Sequence, residues 1–174
     1  EMIGAEIINM DSRQIYRGMS IGTAQPNAQE LQRVPHHLVG FLDPDQSYSA
    51  ARFLSDVRSI ENSSPNKRLL LVGGTGFYLH VVQQGLSPIP EANQLLRGCL
   101  ETILRKKGLN FMVRWVKRLD PCAILMIDCK NPRRVLRVLE VCLQTQRPWS
   151  SWIEERQNGL GHFPVIWLDR ERAE

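Results

Sequence analysis

Residues 6–18 decide the fold, and they read Glu6-Ile7-Ile8-Asn9-Met10-Asp11-Ser12-Arg13-Gln14-Ile15-Tyr16-Arg17-Gly18. The first five have the apolar, β-branched character of a buried strand in a parallel sheet. In such sheets, ligands bind just beyond the carboxyl ends of the strands. The pattern therefore places Asp11 at the end of the strand, where parallel sheets bind their ligands.

Two interpretations of Asp11 and Ser12 are open. An Asp-Ser pair usually caps a helix by accepting backbone N–H bonds. Here Arg13, Gln14 and Arg17 follow closely, so a carboxylate, a hydroxyl, an amide and two guanidinium groups leave one strand end together. This concentration of polar groups favours a functional site.

A second predicted strand ends in a glycine loop. The apolar run Arg68–Val72 breaks into Gly73-Gly74-Thr75-Gly76, and a helical segment, 77–84, follows. The loop lacks Rossmann spacing and the lysine of a P-loop, so it is either a tight turn or a place where a ligand approaches the backbone. In the second case, the two strand ends would flank one crevice of an α/β fold with a parallel sheet.

Composition indicates one globular core with room for a small insertion. The chain has 174 residues, of which 43% are hydrophobic and 23% charged. We expect a cytoplasmic protein without a membrane segment, because no run approaches the roughly 18 to 20 apolar residues of a span and the start is not signal-like. His36 and His37 are adjacent in an extended segment and so do not suggest a shared metal ion. The cysteines form no C-x-x-C pair and are predicted to be reduced packing residues: Cys99, Cys122, Cys129 and Cys142.

The middle of the chain is basic and helical. Residues 92–159 hold 13 of the 22 Lys and Arg but only 6 of the 18 Asp and Glu. Amphipathic segments at 94–107, 110–119 and 131–141 predict a helical domain, residues 92–159, inserted into an α/β core of residues 1–91 and 160–174.

The third segment carries a basic face. Arg133 or Arg134 shares a side of the helix with Arg137, while Val135 and Leu136 turn inward. A solvated face is the usual explanation, but the scarcity of acidic partners favours contact with phosphates. Single-stranded or looped RNA is the plausible polyanion, since three tryptophans in this region can stack bases: Trp115, Trp149 and Trp152.

Several phrases together carry a family resemblance. They are Asp11–Met19, Ile21–Ala24, Val34–Leu38, Asp43-Pro44, Tyr48–Phe53, Gly73–Leu79, Gly85–Pro88 and Asn131–Arg134. In this order, over nearly the whole chain, they resemble the tRNA dimethylallyltransferases, also called tRNA isopentenyltransferases. The resemblance implies a P-loop-type α/β core with a helical insertion that binds the tRNA anticodon stem-loop.

The resemblance also implies an activity. It is the transfer of a dimethylallyl group from dimethylallyl diphosphate to the exocyclic amino group of the adenosine 3′ of the anticodon. Asp11 matches the family's general base, and a carboxylate suits that role because the adenine amino group is a poor nucleophile that must lose a proton as the C–N bond forms. The implied cofactor is Mg²⁺, and we expect a monomer.

Further roles follow from the resemblance alone. Ser12, Arg13 and Gln14 match the segment that, with Asp11, holds the extruded adenine. The glycine loop would line the substrate pocket, and its Thr75 and the more distant Arg97 match tRNA contacts. A second tRNA-binding segment is matched by Arg133, Arg134, Val135, Leu136 and Arg137.

The chain also departs from the family. It contains no Gly-x-x-x-x-Gly-Lys-Ser/Thr, which the family carries ahead of the segment matched by Glu1, so the metal ligand is unknown. Gly4 resembles a helix C-cap, and strand-like residues 163–168 precede a charged end, so we expect material beyond both termini. Alternatives are an adenylate isopentenyltransferase acting on free nucleotide, disfavoured by residues 92–159, and a catalytically inactive RNA-binding module.

Overall fold

The computed structural model describes residues 4–169, which form two compact units. The first comprises the chain up to Gly85 and from Asn158 onward, and the second comprises Leu86–Gln157. The sequence placed these boundaries at residues 91 and 160, and the tRNA-binding role of the middle unit stays a prediction. None of the helices described has the length and apolar character needed to cross a membrane.

A parallel sheet organises the first unit. Its central strand β1 (Ala5–Asn9) lies between β2 (His36–His37) and β3 (Arg68–Val72). Both pairings are parallel, with Ile7 opposite His36 and Ile8 opposite Leu71. The predicted α/β class is confirmed, because the two apolar runs that precede Asp11 and Gly73 are neighbouring strands.

Four helices accompany this sheet: α1 (Ser20–Thr23), α2 (Ala28–Arg33), α3 (Ala50–Ser63) and α4 (Gly76–Gln84). The Ser49 hydroxyl caps α3 by accepting the Arg52 N–H at 3.2 Å. α3 packs on α4, where the Phe53 and Tyr78 rings stack with centroids 4.2 Å apart. Ile8, Ile15 and Leu42 are also buried in this unit.

The second unit is helical: α5 (Gln94–Lys107), α6 (Leu109–Leu119), α7 (Ala123–Met126), α8 (Pro132–Thr145) and α9 (Trp149–Ile153). Asn131 caps α8 by accepting the Arg133 N–H at 3.0 Å, with Pro132 at the first helical position. The apolar sides of α5, α6 and α8 form the core, which includes Leu100, Met112, Val116, Val135, Leu136 and Leu139. Two short strands, β4 (Gly85–Leu86) and β5 (Gln157–Asn158), pair with each other.

Two expectations from the sequence were wrong, and others concern residues that the structure does not describe. Residues 163–168 form no regular strand, because nothing in the described part of the chain pairs with them, and Trp167 is 84% exposed. Cys99 and Cys122 are exposed and so are not packing residues, whereas burial raises the pKa of the Cys142 thiol. The helix end expected before Gly4 and the terminal charged run from residue 170 lie outside the described residues.

Candidate functional site

Asp11 follows β1 and forms a tight polar turn. Its Oδ1 atom accepts the backbone N–H groups of Arg13 at 2.8 Å and Gln14 at 3.4 Å. This is the capping behaviour that the sequence allowed as the ordinary role of an Asp-Ser pair. Both bonds use Oδ1, so the turn leaves Oδ2 for a ligand. One carboxylate thus serves the backbone and still presents an oxygen beyond the strand end.

The glycine loop lies directly against this turn. The Thr75 hydroxyl accepts the Ser12 N–H at 3.0 Å and donates to the Ser12 hydroxyl at 3.3 Å, while the Thr75 N–H donates to the Met10 carbonyl at 3.1 Å. A Cβ atom at Gly73 would lie 2.3 Å from the Met10 carbonyl carbon, so only glycine permits this approach. The structure therefore brings together the two strand ends that the sequence singled out.

Gly74 faces the carboxylate. A Cβ atom at Gly74 would lie 3.9 Å from Asp11 Oδ2, so the glycine backbone and this oxygen border the same space. Tyr78, on the first turn of α4, is close by: burial raises the pKa of its hydroxyl, and the nearby Tyr16 and Asp11 raise it further. The Asp11 carboxylate and the glycine loop therefore border one space, with Tyr78 nearby.

The other polar residues after β1 have different surroundings. Gln14 donates its amide hydrogens to the carbonyls of Thr23 and Ala24, both at 3.1 Å, so it holds the following loop. Arg13 is exposed. The Arg17 guanidinium pairs with Asp43 at 3.0 Å. Of the predicted adenine-holding set, Ser12 is joined to the glycine loop, Gln14 supports a neighbouring loop, and Arg13 reaches solvent.

Asn9 also holds the Asp11 turn, although the sequence predicts it only as part of a strand. It is 3% exposed, and its Oδ1 accepts the Asp11 N–H at 3.1 Å. Its Nδ2 donates to the Leu38 carbonyl at 2.8 Å and the Asp11 carbonyl at 3.3 Å. A polar residue that interrupts an apolar strand just before an aspartate was the signal that could have identified it.

A cavity of about 380 Å³ opens beside the turn, with Asn9 and Gln14 in its wall. The loop residues Ala24 and Pro26 and the β2 residue His36 also line it. Asp11 is not part of this wall, so the cavity adjoins the turn and does not enclose the carboxylate. It offers a partly apolar recess next to the Asp11 turn.

In the helical unit, Arg97 and Arg137 are bound by one buried acid. Glu140 is 1% exposed, and its Oε2 lies 3.0 Å from Arg137 Nη1 and 3.9 Å from Arg97 Nη1. Arg137 also donates to the Pro90 carbonyl at 3.1 Å, and Arg97 pairs with Glu101 at 3.3 Å. Both arginine side chains are one-third exposed, so they combine a structural role with access to solvent.

The other residues of the predicted second tRNA-binding segment lie on two faces of α8, one exposed and one buried. Arg133 and Arg134 are exposed at the start of α8. Val135 and Leu136 are 0% and 5% exposed and fill the core. Side-chain contact between this segment and RNA is therefore open to the arginines and closed to Val135 and Leu136.

The three tryptophans expected to stack bases also differ. Trp149 packs against the core. Trp152 is covered by the Arg147 guanidinium, 4.5 Å from the ring centroid. Trp115 lies beside Phe111 with ring centroids 6.3 Å apart, in an edge-on pair. Trp115 also packs against the core, but it is half-buried and lines an open groove together with Phe111.

The sequence of this chain is similar to those of known proteins. The profile of the family described as IPP transferase matches residues 14–174. A tRNA dimethylallyltransferase of Nitrosomonas europaea is 42% identical over 163 residues, covering 92% of this chain and 51% of that protein. One of Geobacter metallireducens is 42% identical over 156 residues, covering 88% and 50%. The chain thus spans about half the length of these curated relatives.

A solved structure is similar as well. It comes from a study of a eukaryotic dimethylallyltransferase acting on tRNA, and it matches with a TM-score of 0.73 and 26% sequence identity. The match covers 92% of this chain and 40% of that one. It is consistent with the predicted P-loop-type α/β core bearing helices. By the family profile and by its relatives, this chain belongs to the IPP transferase family.

Proposed function

We propose that this chain is part of an enzyme that transfers a dimethylallyl group from dimethylallyl diphosphate to the exocyclic amino group of the adenosine 3′ of the tRNA anticodon. The observation that carries the proposal is Asp11, which presents one carboxylate oxygen at the strand end against the glycine loop. The names of the relatives support the same activity.

In this mechanism Asp11 Oδ2 is the general base. The adenine amino group is weakly nucleophilic because its lone pair is delocalised into the ring, so it needs a proton acceptor as it reacts. The C–N bond to the dimethylallyl carbon forms, the C–O bond to diphosphate breaks, and the proton passes to Asp11. Ser12 and Thr75 would hold the adenine, since their hydroxyls lie beside the carboxylate turn.

Mg²⁺ is the cofactor implied by the family. Among residues 4–169, no group of three or more His, Cys, Asp or Glu could hold a metal ion. Mg²⁺ usually takes one or two carboxylates together with substrate phosphates, so the described residues do not form a magnesium site on their own. We propose that the ion enters with the diphosphate, where it would offset the charge of the leaving group.

The RNA partner is the anticodon stem-loop. Arg133 and Arg134 are the best-placed phosphate ligands of the predicted segment, since both are exposed on a basic helix. Arg97 would contribute from α5 with the part of its guanidinium that faces solvent. These contacts would have to offset the few kcal/mol needed to extrude the target adenine from its stack. A cytoplasmic monomer remains our expectation.

The test is single-turnover transfer of labelled dimethylallyl diphosphate to an anticodon stem-loop and, in parallel, to AMP. Full-length protein is compared with Asp11→Asn, whose amide oxygen can still accept the Arg13 and Gln14 N–H groups. We expect label on the stem-loop and a loss of roughly 100-fold or more in the variant, the usual scale of a general base.

Two controls make this result specific. Asp45→Asn removes an exposed carboxylate from the same unit and should leave the rate unchanged. Asp11→Ala should lose both the rate and the turn. Transfer to AMP in place of the stem-loop would favour the nucleotide-acceptor alternative, and binding without transfer in the wild-type protein would favour the inactive RNA-binding module. A fully active Asp11→Asn variant would remove Asp11 from the chemistry.

A further inference from the structure

A second open surface of the helical unit has no part in the site described above. It is a groove of about 690 Å³ between the end of α5 and one face of α6. Its apolar floor consists of Ile103, Phe111 and Trp115. Phe111 is 37% exposed, a large fraction for an aromatic side chain that packs beside a tryptophan. We call this surface the α5–α6 groove.

The rim of the α5–α6 groove is entirely cationic. Lys106 and Lys107 border it from α5, and Arg114 and Arg118 border it from α6. All four are exposed, and within the described residues none forms an ion pair with an acid. No acidic residue lines the groove. Four unneutralised cations around an aromatic floor are complementary to an anionic ligand that carries flat rings.

We infer that the α5–α6 groove binds an unpaired nucleotide of the RNA substrate, with its base on Phe111 and Trp115 and the flanking phosphates on the four cations. Aromatic side chains bind bases of any sequence by stacking, and a basic border follows the backbone. This assignment rests on the proposed function, which supplies the RNA. It adds a contact surface that shares no residue with Arg97 or with Arg133–Arg137.

Charge decides between RNA and a protein segment as the occupant. An acidic amphipathic peptide would also suit an apolar floor with a basic rim. The excess of positive charge extends beyond the groove, however, since residues 92–159 hold 13 Lys and Arg against 6 Asp and Glu. A polyanion gains from the whole of that field, whereas a short peptide uses only the rim.

The experiment compares two double variants of the full-length protein with equal net charge. Arg114→Gln with Arg118→Gln removes two rim cations. Arg105→Gln with Lys117→Gln removes two exposed cations of the same helices that do not line the groove. The affinity for tRNA is measured across a series of salt concentrations. Single-turnover transfer at saturating tRNA is measured alongside.

We expect the groove variant to bind tRNA at least about tenfold more weakly. Its slope of log affinity against log salt should be shallower by about 0.7 to 0.9 for each lost phosphate contact. The control variant should change both quantities much less. The control variant should also leave the rate at saturating tRNA unchanged, because its residues belong neither to the groove nor to the Asp11 site.

A second pair of variants tests stacking. Phe111→Leu keeps the floor apolar but removes a ring, and it should weaken tRNA binding roughly 5- to 100-fold, the scale of one stacked base. Phe111→Tyr keeps an aromatic ring at this position and should keep the wild-type affinity for tRNA. Because Phe111 is partly exposed, both variants should fold.

The outcomes separate this inference from the proposed function. Wild-type protein that does not modify tRNA would overturn the proposed function. Active wild-type protein whose groove and control variants bind tRNA equally well would overturn the groove assignment alone. In that case an acidic protein segment becomes the better occupant.

Discussion

The strand-end site and the helical unit use polar groups in opposite ways. At the strand end, Asn9, Asp11, Ser12 and Thr75 are joined to one another and to the backbone. In the helical unit, Arg133, Arg134 and the groove cations reach solvent, whereas Arg97 and Arg137 are held by Glu140 and Arg147 is held by Glu155. Fixed polar groups suit chemistry, which needs an atom in one place, whereas exposed cations suit a polyanion.

A substitution at Gly73 would disrupt the contact between the glycine loop and the end of β1. Gly73→Ala would place a Cβ atom 2.3 Å from the Met10 carbonyl carbon, so β1 or the loop must shift. We expect the free energy of unfolding to fall by about 1–3 kcal/mol, the usual cost of overpacking, together with loss of transfer. Thermal or denaturant unfolding measures the first and single-turnover transfer the second.

The matched control for this change is Gly76→Ala. A Cβ atom there meets nothing within 4 Å, and alanine is favoured over glycine in a helix by up to about 1 kcal/mol. Equal effects of the two substitutions would show that glycine flexibility, and not the close approach to Met10, matters in this loop.

A substitution at Glu140 would remove the ion pairs of Arg97 and Arg137. Glu140→Gln removes the charge that faces Arg97 and Arg137. We expect the free energy of unfolding to fall by about 1.5–3 kcal/mol, the scale of a hydrogen bond to a charged group. Urea unfolding measures this, with Glu154→Gln as an exposed control. An unchanged stability would mean that the two arginines gain nothing from Glu140.

The free and the held arginines of α8 should differ in what they affect. Arg133→Gln with Arg134→Gln should make the salt dependence of tRNA binding shallower by about 0.7 to 0.9 per contact and leave the melting temperature unchanged. Arg137→Gln should lower the melting temperature and affect the slope less, since its guanidinium is bonded to Glu140 and the Pro90 carbonyl. The reverse assignment would contradict the division proposed for this helix.

The smallest expected effect is on acid stability. His37 and Lys67 hold the pKa of Glu6 below its usual value, His37 through a 2.8 Å hydrogen bond and Lys67 at 3.3 Å. A depressed carboxyl pKa stabilises the fold above the ordinary value of about 4.3, and this contribution is lost as the pH falls through the lower folded value. The melting temperature of wild-type protein should therefore decline more between pH 5 and 3 than that of Glu6→Gln.

Local pattern predicted the elements well. The strand before Gly73 and the helix Gln94–Lys107 have the bounds expected from the sequence, because apolar periodicity acts over a few residues. Asp11 and Thr75 were placed at strand ends for the same reason, since each follows an apolar strand, and the structure brings these two strand ends together.

Contacts between distant residues were not predictable in this way. Glu140 looks like one more charge on a helix, yet it is buried against Arg97 from another helix. Asn9 depends on the Leu38 carbonyl, 29 residues away. Residues 163–168 have the composition of a strand, but a strand needs a partner that composition does not supply. The misjudged features are those decided by tertiary packing.

The approach of Gly73 to Met10 has a consequence for how this site can vary over evolution. The two loops are aligned by main-chain atoms and by one threonine hydroxyl, so the carboxylate does not depend on the shape of any large side chain. Any residue larger than glycine at position 73 would displace this main-chain contact, because its Cβ atom would meet the Met10 carbonyl. The tightest constraint on divergence is then at a position that bears no side chain at all.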